Sequence, residues 1–349
     1  MATRYFKNSV DQYWHTNGNW WANAACDEGF AGTLTGVNVT DTDTEVTCDN
    51  TYGLVVGRPI TGDGIDTGTT VASITNSTTF ELSQAAISTE TSNLSCELHV
   101  SPTTGDDVVI ATGNGTIAGY ANSDVLGLVT VNGDTVLDLS DDINAANIEF
   151  NDTSSITDGG LTGTCVFNGS SFASISYLTP ITGNCTFNDS SYISGTIIGD
   201  CTFNNTSGNG GGGGSGYITG SCTFNDTSVN YSGDIYGTVT FNDSSYNNQY
   251  GYISGGAIFN GSSYNASGSN ITGDCTFNDG GYNDGNIIGN CTFNGYGYNA
   301  SGSNITGNAT VRQQAAMFTA WRDYATSTYI TGTLTLQFPE MDILGTGLL

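Results

Sequence analysis

Positive charge is what this sequence has least of. Five lysines and arginines (Arg4, Lys7, Arg58, Arg312 and Arg322) stand against 33 aspartates and glutamates, for a formal net charge of −28. Binding to nucleic acid rests on neutralising phosphates with basic side chains, so this balance argues against a nucleic-acid partner. An anionic membrane surface is disfavoured on the same ground. Histidine is nearly missing as well: only His15 and His99 occur, and neither sits in a nucleophile–base pattern. No apolar run is long enough to span a bilayer, so no membrane insertion is expected. The opening, MATRYFKNSVDQYW, has no apolar stretch of signal-peptide length, and the chain is expected to be made in a cytoplasm and to stay soluble there. The many Asn-x-Ser/Thr sites follow from composition and carry no glycosylation argument.

Glycine, by contrast, is abundant at 49 residues, and Tyr, Phe, Ile and Val recur throughout. Enough apolar surface is therefore present to be buried, which argues against disorder despite the low complexity. A length of 349 residues allows one long domain or two to three compact ones.

The phrase ITGNCTFND at 181–189 is written again and again, as IIGDCTFNN, ITGSCTFND, IYGTVTFND, ISGGAIFNG, ITGDCTFND and IIGNCTFNG. Its aromatic residues are Phe150, Phe167, Phe187, Phe203, Phe224, Phe241, Phe259, Phe277 and Phe293, spaced 16 to 21 residues apart. An aliphatic stands six residues before each from the second copy on, and a small apolar residue two before. The frame continues through Ile305, Ala309 and Val311 and returns in ITGTLTL near 330–336. Self-similarity at this period is the signature of a repeat fold. Within the phrase, apolar Ile, Cys and Phe alternate with Thr and Asn, the period-two pattern of a strand with one buried face.

One strong strand per short repeat describes one coil of a parallel β-solenoid, an all-β, single-stranded parallel β-helix of about ten short coils. At the ~4.8 Å strand spacing such a stack is roughly 45–50 Å long. A second inward position is expected five residues after each Phe, at Phe172, Tyr192, Tyr246, Tyr264, Tyr282 and Tyr298. A left-handed hexapeptide helix would place Gly directly after the aliphatic, whereas here it comes one later (Gly183, Gly199, Gly220), which favours the right hand, as parallel crossovers usually do.

Six cysteines share one inward column: Cys165, Cys185, Cys201, Cys222, Cys275 and Cys291. A disulfide ladder does not suit side chains that point the same way on neighbouring parallel strands, and a reducing cytoplasm keeps thiols free. A soft-metal site lacks the usual Cys-x-x-Cys loop. Val239, Ala257 and Ala309 fill the same slot, so cysteine is read as a small apolar packing group.

Each Phe is followed by Asn and then by Asp, Gly or Asn, a good strand ending and turn; stacked, the amides can bond as a ladder. The alternative for Asp152, Asp189, Asp226, Asp243 and Asp279 is calcium, although they are mostly not on adjacent coils and form no full calcium loop. Outward threonines form columns resembling those of ice-binding solenoids; the plain reading is strand propensity. No cofactor and no metal is expected.

Residues 34–99 differ in character. The stretch GLVVGRPITGDGIDTGTTVASITNSTTFELS resembles a small β-module found as an insertion in phage virion proteins. Cys48 and Cys96 fall at its expected entry and exit strands. YWHTNGNWWANAAC at 13–26 and SPTTGDDVVIATGNGTIAG at 101–119 resemble the aromatic start and the GDDVVI strand of phage fibre-like solenoids. The expected organisation is a cap or attachment segment at 1–33 with Trp14, Trp20 and Trp21, the inserted module at 34–99, the β-helix at 100–311, and a C-terminal part at 312–349. That part holds a short capping helix at AAMFTAWRDYA (315–325), a last coil and an apolar tail.

The resemblance implies a structural virion protein: a phage tail fibre or related appendage, a homotrimeric spacer and host-adhesion surface that touches other virion proteins and host surface polysaccharide. Alternatives are a capsid decoration protein, a bacterial surface adhesin and a polysaccharide-cleaving tailspike. Cleavage would need paired carboxylates on large irregular coils, and these coils are short and regular. No catalytic residue is assigned. The candidate sugar contacts are loop tips, Tyr231, Tyr250 and the Gly210–Gly214 loop, where aromatic faces suit apolar sugar faces.

Overall fold

The computed structural model describes residues 2–7, 14, 19–26, 28–111, 113–118, 124–139, 141–176, 178–210, 216–300, 302–312 and 329–337. The fold is all-β, a solenoid of about eleven turns built from stacked parallel strands. The helix expected at 315–325 and the tail beyond Gln337 lie outside the described residues. The chain divides into two compact units, Met1–Ala146 and Asn147–Leu349.

In the second unit one turn reads Ile181–Thr182, Cys185–Phe187 and Tyr192–Ser194, each a short strand. Every strand pairs in parallel with its copy in the next turn: Ile181 with Ile197, Cys185 with Cys201 and Phe187 with Phe203. Identical residues therefore stand on top of one another. Period-two alternation turns Ile181, Cys185 and Phe187 inward, where each is at most 3% exposed. The nine phenylalanines form one unbroken buried stack from Phe150 to Phe293, with ring centroids 4.6–5.0 Å apart and planes within 15°. That spacing is the strand spacing itself, so the backbone ladder dictates the aromatic geometry.

The glycine of the phrase has a steric cause. Successive bends at Gly183, Gly199, Gly220, Gly237, Gly255, Gly273, Gly289 and Gly307 lie so close that a Cβ on any of them would collide with the carbonyl oxygen of the glycine one turn before. Only glycine allows this approach of backbone to backbone.

The turn after each Phe is equally constrained. Asp152, Asp189, Asn205, Asp226, Asp243 and Asp279 take φ of 54–61°, and Gly169, Gly261 and Gly295 take 60–70° at the same place. Asn, Asp and Gly tolerate this left-handed conformation best, which explains their alternation. The preceding asparagines form the expected ladder. From Asn168 to Asn294 each carboxamide Nδ2 donates to the Oδ1 of the asparagine one turn earlier at 2.8–2.9 Å, ending on Asn151.

The second inward position is not the one expected. Tyr192, Tyr246, Tyr264, Tyr282 and Tyr298 are only half-buried, and the residue after each is the fully inward one: Ile193, Asn247, Asn265 and Asn283 are 0% exposed and Asn299 is 2%. The inward residue stands six after each Phe, in phase with it, whereas the expected position five after is out of phase, and a one-residue slip exchanges the faces. The consequence is a second asparagine ladder in the core, running Asn209–Asn230–Asn247–Asn265–Asn283–Asn299 at 2.8–3.0 Å. Its carboxamides donate toward the C-terminal turns, opposite to the first ladder. The atoms at its two ends, Asn209 Oδ1 and Asn299 Nδ2, are buried without a hydrogen-bond partner among the described residues. The displaced tyrosines stack in turn: Tyr246, Tyr264, Tyr282 and Tyr298 have centroids 4.7, 4.9 and 5.1 Å apart.

In the first unit, Thr3–Phe6 pairs in parallel with Asp107–Ile110, and that strand with Val125–Val131. Trp20–Trp21 runs antiparallel to Thr3–Phe6 and occupies its other edge, where Trp20 packs edge-on to Phe6 and Trp14. The stretch 34–99 folds into antiparallel sheets. Phe30–Leu34 pairs with Leu94–Leu98, and Asn38–Val39, Glu45–Thr47, Thr79–Leu82 and Val71–Asn76 form a second sheet over a core that includes Val46, Ile60, Phe80 and Leu94. Cys96 is on the exit strand as expected. Cys48, however, follows the inner strand Glu45–Thr47, because the entry strand is Phe30–Leu34. Both thiols are free and buried, and burial pushes Cys96 up to about 11.

These columns make sharp predictions about substitution. Cys275 stands in register between Ala257 and Cys291, so Cys275→Ala should cost about 1 kcal/mol in urea unfolding, whereas Cys275→Asp should be severely destabilising. Gly237→Ala, which adds one methyl against the Gly220 carbonyl, should destabilise far more than Cys275→Ala removes.

Candidate binding surface

The side chains that could recognise a partner are those the columns do not use internally. The loop-tip candidates are dispersed. Tyr250 is 71% exposed, in the turn before Tyr252–Ile253. Tyr231 is 39% exposed, but its ring lies over Gly208, where a Cβ would meet it at 2.7 Å. Gly208 is the gap in the tyrosine column, in register with Tyr192, and Tyr231 fills that gap from the next turn. Gly210 is buried with φ of +84° and so is no tip; Gly214 lies outside the described residues.

The calcium candidates are held by the turn. Asp189 Oδ2 accepts the Gly169 amide at 3.1 Å and Asp226 Oδ2 the Asn205 amide at 3.0 Å, so these carboxylates tie one turn to the next. Among the described residues no three His, Cys, Asp or Glu side chains are grouped to hold a metal ion. All six column cysteines are free and buried, and burial pushes the Cys201 thiol up. A cavity of about 320 Å³ in the first unit is lined by Phe6, Lys7, Cys26 and Asn114 among others.

The outer face of the second unit carries further columns that the repeat phrase only partly announces. Thr186, Thr202, Thr223 and Thr240 stand in register with Ile258, Thr276 and Thr292. One strand earlier, Thr196 aligns with Tyr217, Asp234, Tyr252, Asn270, Asn286 and Asn304. Tyr217 and Tyr236 are 40% and 43% exposed, with ring centroids 4.7 Å apart and planes 38° from parallel. Sequence reasoning passed over this group because it sits inside the repeat, where attention falls on the conserved slots and not on departures from them. The flat Tyr246–Tyr298 stack is a different object: ring covers ring, leaving mainly edges outside.

In the first unit, His99 is fully buried, and among the described residues neither ring nitrogen has a partner at full hydrogen-bond geometry. It meets Trp21 edge-on at 4.5 Å; Arg58 lies over the Trp21 ring and pairs with Glu97 at 3.4 Å. Burial first, and then the Arg58 charge, hold its pKa below the ordinary value, against the pull of Glu97 and the Trp20 backbone. Elsewhere in this unit Arg4 pairs with Asp106 at 2.5 Å; burial opposes the carboxylate's charge, but the Arg4 hydrogen bond and those from Ala2 and Thr103 outweigh it and hold Asp106 low.

No protein family, curated protein or solved structure matches the chain in comparisons of sequence and fold.

The His99 environment sets a pH dependence. A base whose folded pKa lies below its unfolded value binds fewer protons when folded, so stability is complete above about pH 6.5 and declines as pH falls below it. Unfolding of the first unit should therefore become easier as pH falls below about 6.5, and His99→Phe should flatten that slope. The Asp106 contribution should be lost only at lower pH, below about 3.9. A slope unchanged in the His99→Phe protein would contradict the assignment.

Proposed function

We propose that this chain is a structural protein of a bacteriophage particle, a tail fibre or related appendage, acting as a rigid spacer and host-adhesion surface. The observation that carries this reading is the regularity of the second unit. Its Phe stack, two asparagine ladders, glycine column and left-handed turns repeat without interruption, and each consumes side chains to fix one turn on the next. Such a rod resists bending and offers its outer columns and turns for recognition. The virion-like pieces at 13–26, 34–99 and 101–119 give the phage context, and the acidity fits a chain that avoids nucleic acid during assembly in the host cytoplasm.

In this reading the molecule is a homotrimer. Ile258 is 43% exposed in the outward threonine column between Thr240 and Thr276, surface that sister chains would cover about a threefold axis. It touches other virion proteins and a host surface polysaccharide, and it binds without cleaving.

Gold-labelled antibody on phage particles carrying the chain should mark the tail, and sedimentation of the purified protein at micromolar concentration should give three times 36.2 kDa. The protein should adhere to host cells without releasing reducing sugar ends and without thermal hysteresis in ice. Label over the head would favour capsid decoration. Released reducing ends, or a lone monomer, would overturn the passive trimeric fibre.

A further inference from the structure

The column Thr196–Tyr217–Asp234–Tyr252–Asn270–Asn286–Asn304 changes character halfway. In its last three turns the residue is asparagine, and the side chains bond to one another: Asn286 donates to Asn270 at 3.2 Å and Asn304 to Asn286 at 2.9 Å. In the three turns before, the column gives up this ladder for Tyr217, Asp234 and Tyr252. Tyr236 departs from its own column in the same turns. Its neighbours there are Thr219, Ser254 and Thr272, as the pairing of Ile218, Ile235, Ile253 and Ile271 requires.

Four departures thus fall together over three adjacent turns of one outer face. Stacking does not demand tyrosine or aspartate there, since the same columns are filled elsewhere by Thr, Ser, Asn and, at Ile198 and Ile288, Ile. The Tyr217 and Tyr236 rings open at 38°, unlike the buried stacks, so neither covers the other's face fully. Asp234 stands in register between Tyr217 and Tyr252, and partial burial raises its pKa while it remains a hydrogen-bond acceptor. Tyr252 Oη is 3.5 Å from Thr272 Oγ1, at the outer limit of bonding, so its hydroxyl is only weakly engaged there.

We propose that Tyr217, Asp234, Tyr236 and Tyr252 form a carbohydrate site for a neutral or N-acetylated glycan. The proposal rests on the adhesion reading above and locates it on the rod face, away from the loop tips. Tilted, half-exposed aromatic rings suit the apolar faces of pyranoses, and phenol and carboxylate groups beside them suit sugar hydroxyls. The span from Tyr217 to Tyr252 is two turns, about 9.6 Å, enough for a disaccharide. Charge decides the class: Asp234 in a chain of net charge −28 repels uronic, sialic and sulfated sugars.

The repeat supplies its own test variants. Tyr217→Thr with Tyr236→Thr installs residues these columns already hold at Thr196 and Thr219, and Tyr252→Asn extends the Asn270 ladder by one turn. The purified full chain and these variants are applied to an array of neutral hexose oligomers, N-acetylhexosamine oligomers and polyuronates, with thermal unfolding measured in parallel. The wild type should bind the neutral or N-acetylated classes. The double Thr variant should lose at least about tenfold in affinity. Tyr252→Asn should weaken binding while melting no lower than wild type, an outcome that a merely structural tyrosine would not give. Asp234→Asn should weaken binding by a smaller factor.

Wild-type binding that the double variant leaves intact would overturn this site while leaving adhesion standing. Binding to polyuronates alone, or to no glycan, would overturn it too; adhesion of the same protein to whole cells then separates that failure from failure of the adhesion reading.

Discussion

Everything in the second unit follows from one constraint: parallel strands hydrogen-bond at a fixed spacing of about 4.8 Å, in register, turn upon turn. Once Cys185 must face Cys201 and Phe187 must face Phe203, each position has to tolerate its own copy directly above and below. Like charges fail that condition, and bulky groups meet it only if flat. Phenylalanine stacks, asparagine donates to asparagine, and the bend glycines nearly touch through their backbones. The low content of charged residues and the wealth of Gly, Asn and Thr are the compositional imprint of that demand.

The two asparagine ladders show how polar groups are kept in a core that must be continuous. A buried carboxamide costs stability unless both its ends are bonded. Within a ladder each asparagine solves the problem for its neighbour, so the cost concentrates at the ends, where Asn209 Oδ1 and Asn299 Nδ2 have no partner among the described residues. The ladders donate in opposite directions along the rod, so their side-chain dipoles oppose each other.

Much of this was legible in the sequence because a repeat writes the same physics many times. The Phe column, the cysteine packing slot and the turn asparagines follow from alternation and turn chemistry. The inner asparagine ladder was not read from the sequence, because the repeated aromatic five residues after Phe drew the inward assignment, although alternation from Phe reaches the asparagine six after it. Counting by twos from Phe187 reaches Ser191 and Ile193, both 0% exposed, and leaves Tyr192 off the inward face. The Tyr217–Tyr236–Tyr252 group was missed for a different reason: a motif search rewards sameness, whereas a binding surface on a repeat protein is written in departures from it. The partner itself is not encoded in any catalytic pattern, so function had to be argued from surface chemistry.

The account stands or falls on the claim that side-chain columns, and not the backbone alone, lock the turns together. Residue-resolved hydrogen exchange of the asparagine side-chain carboxamides tests it most directly. The inner ladder from Asn230 to Asn283 should exchange as slowly as the backbone amides of the Phe203–Phe277 rungs, with the terminal Asn299 markedly faster. Carboxamides that exchange at the rate of exposed asparagines while the backbone remains protected would contradict it.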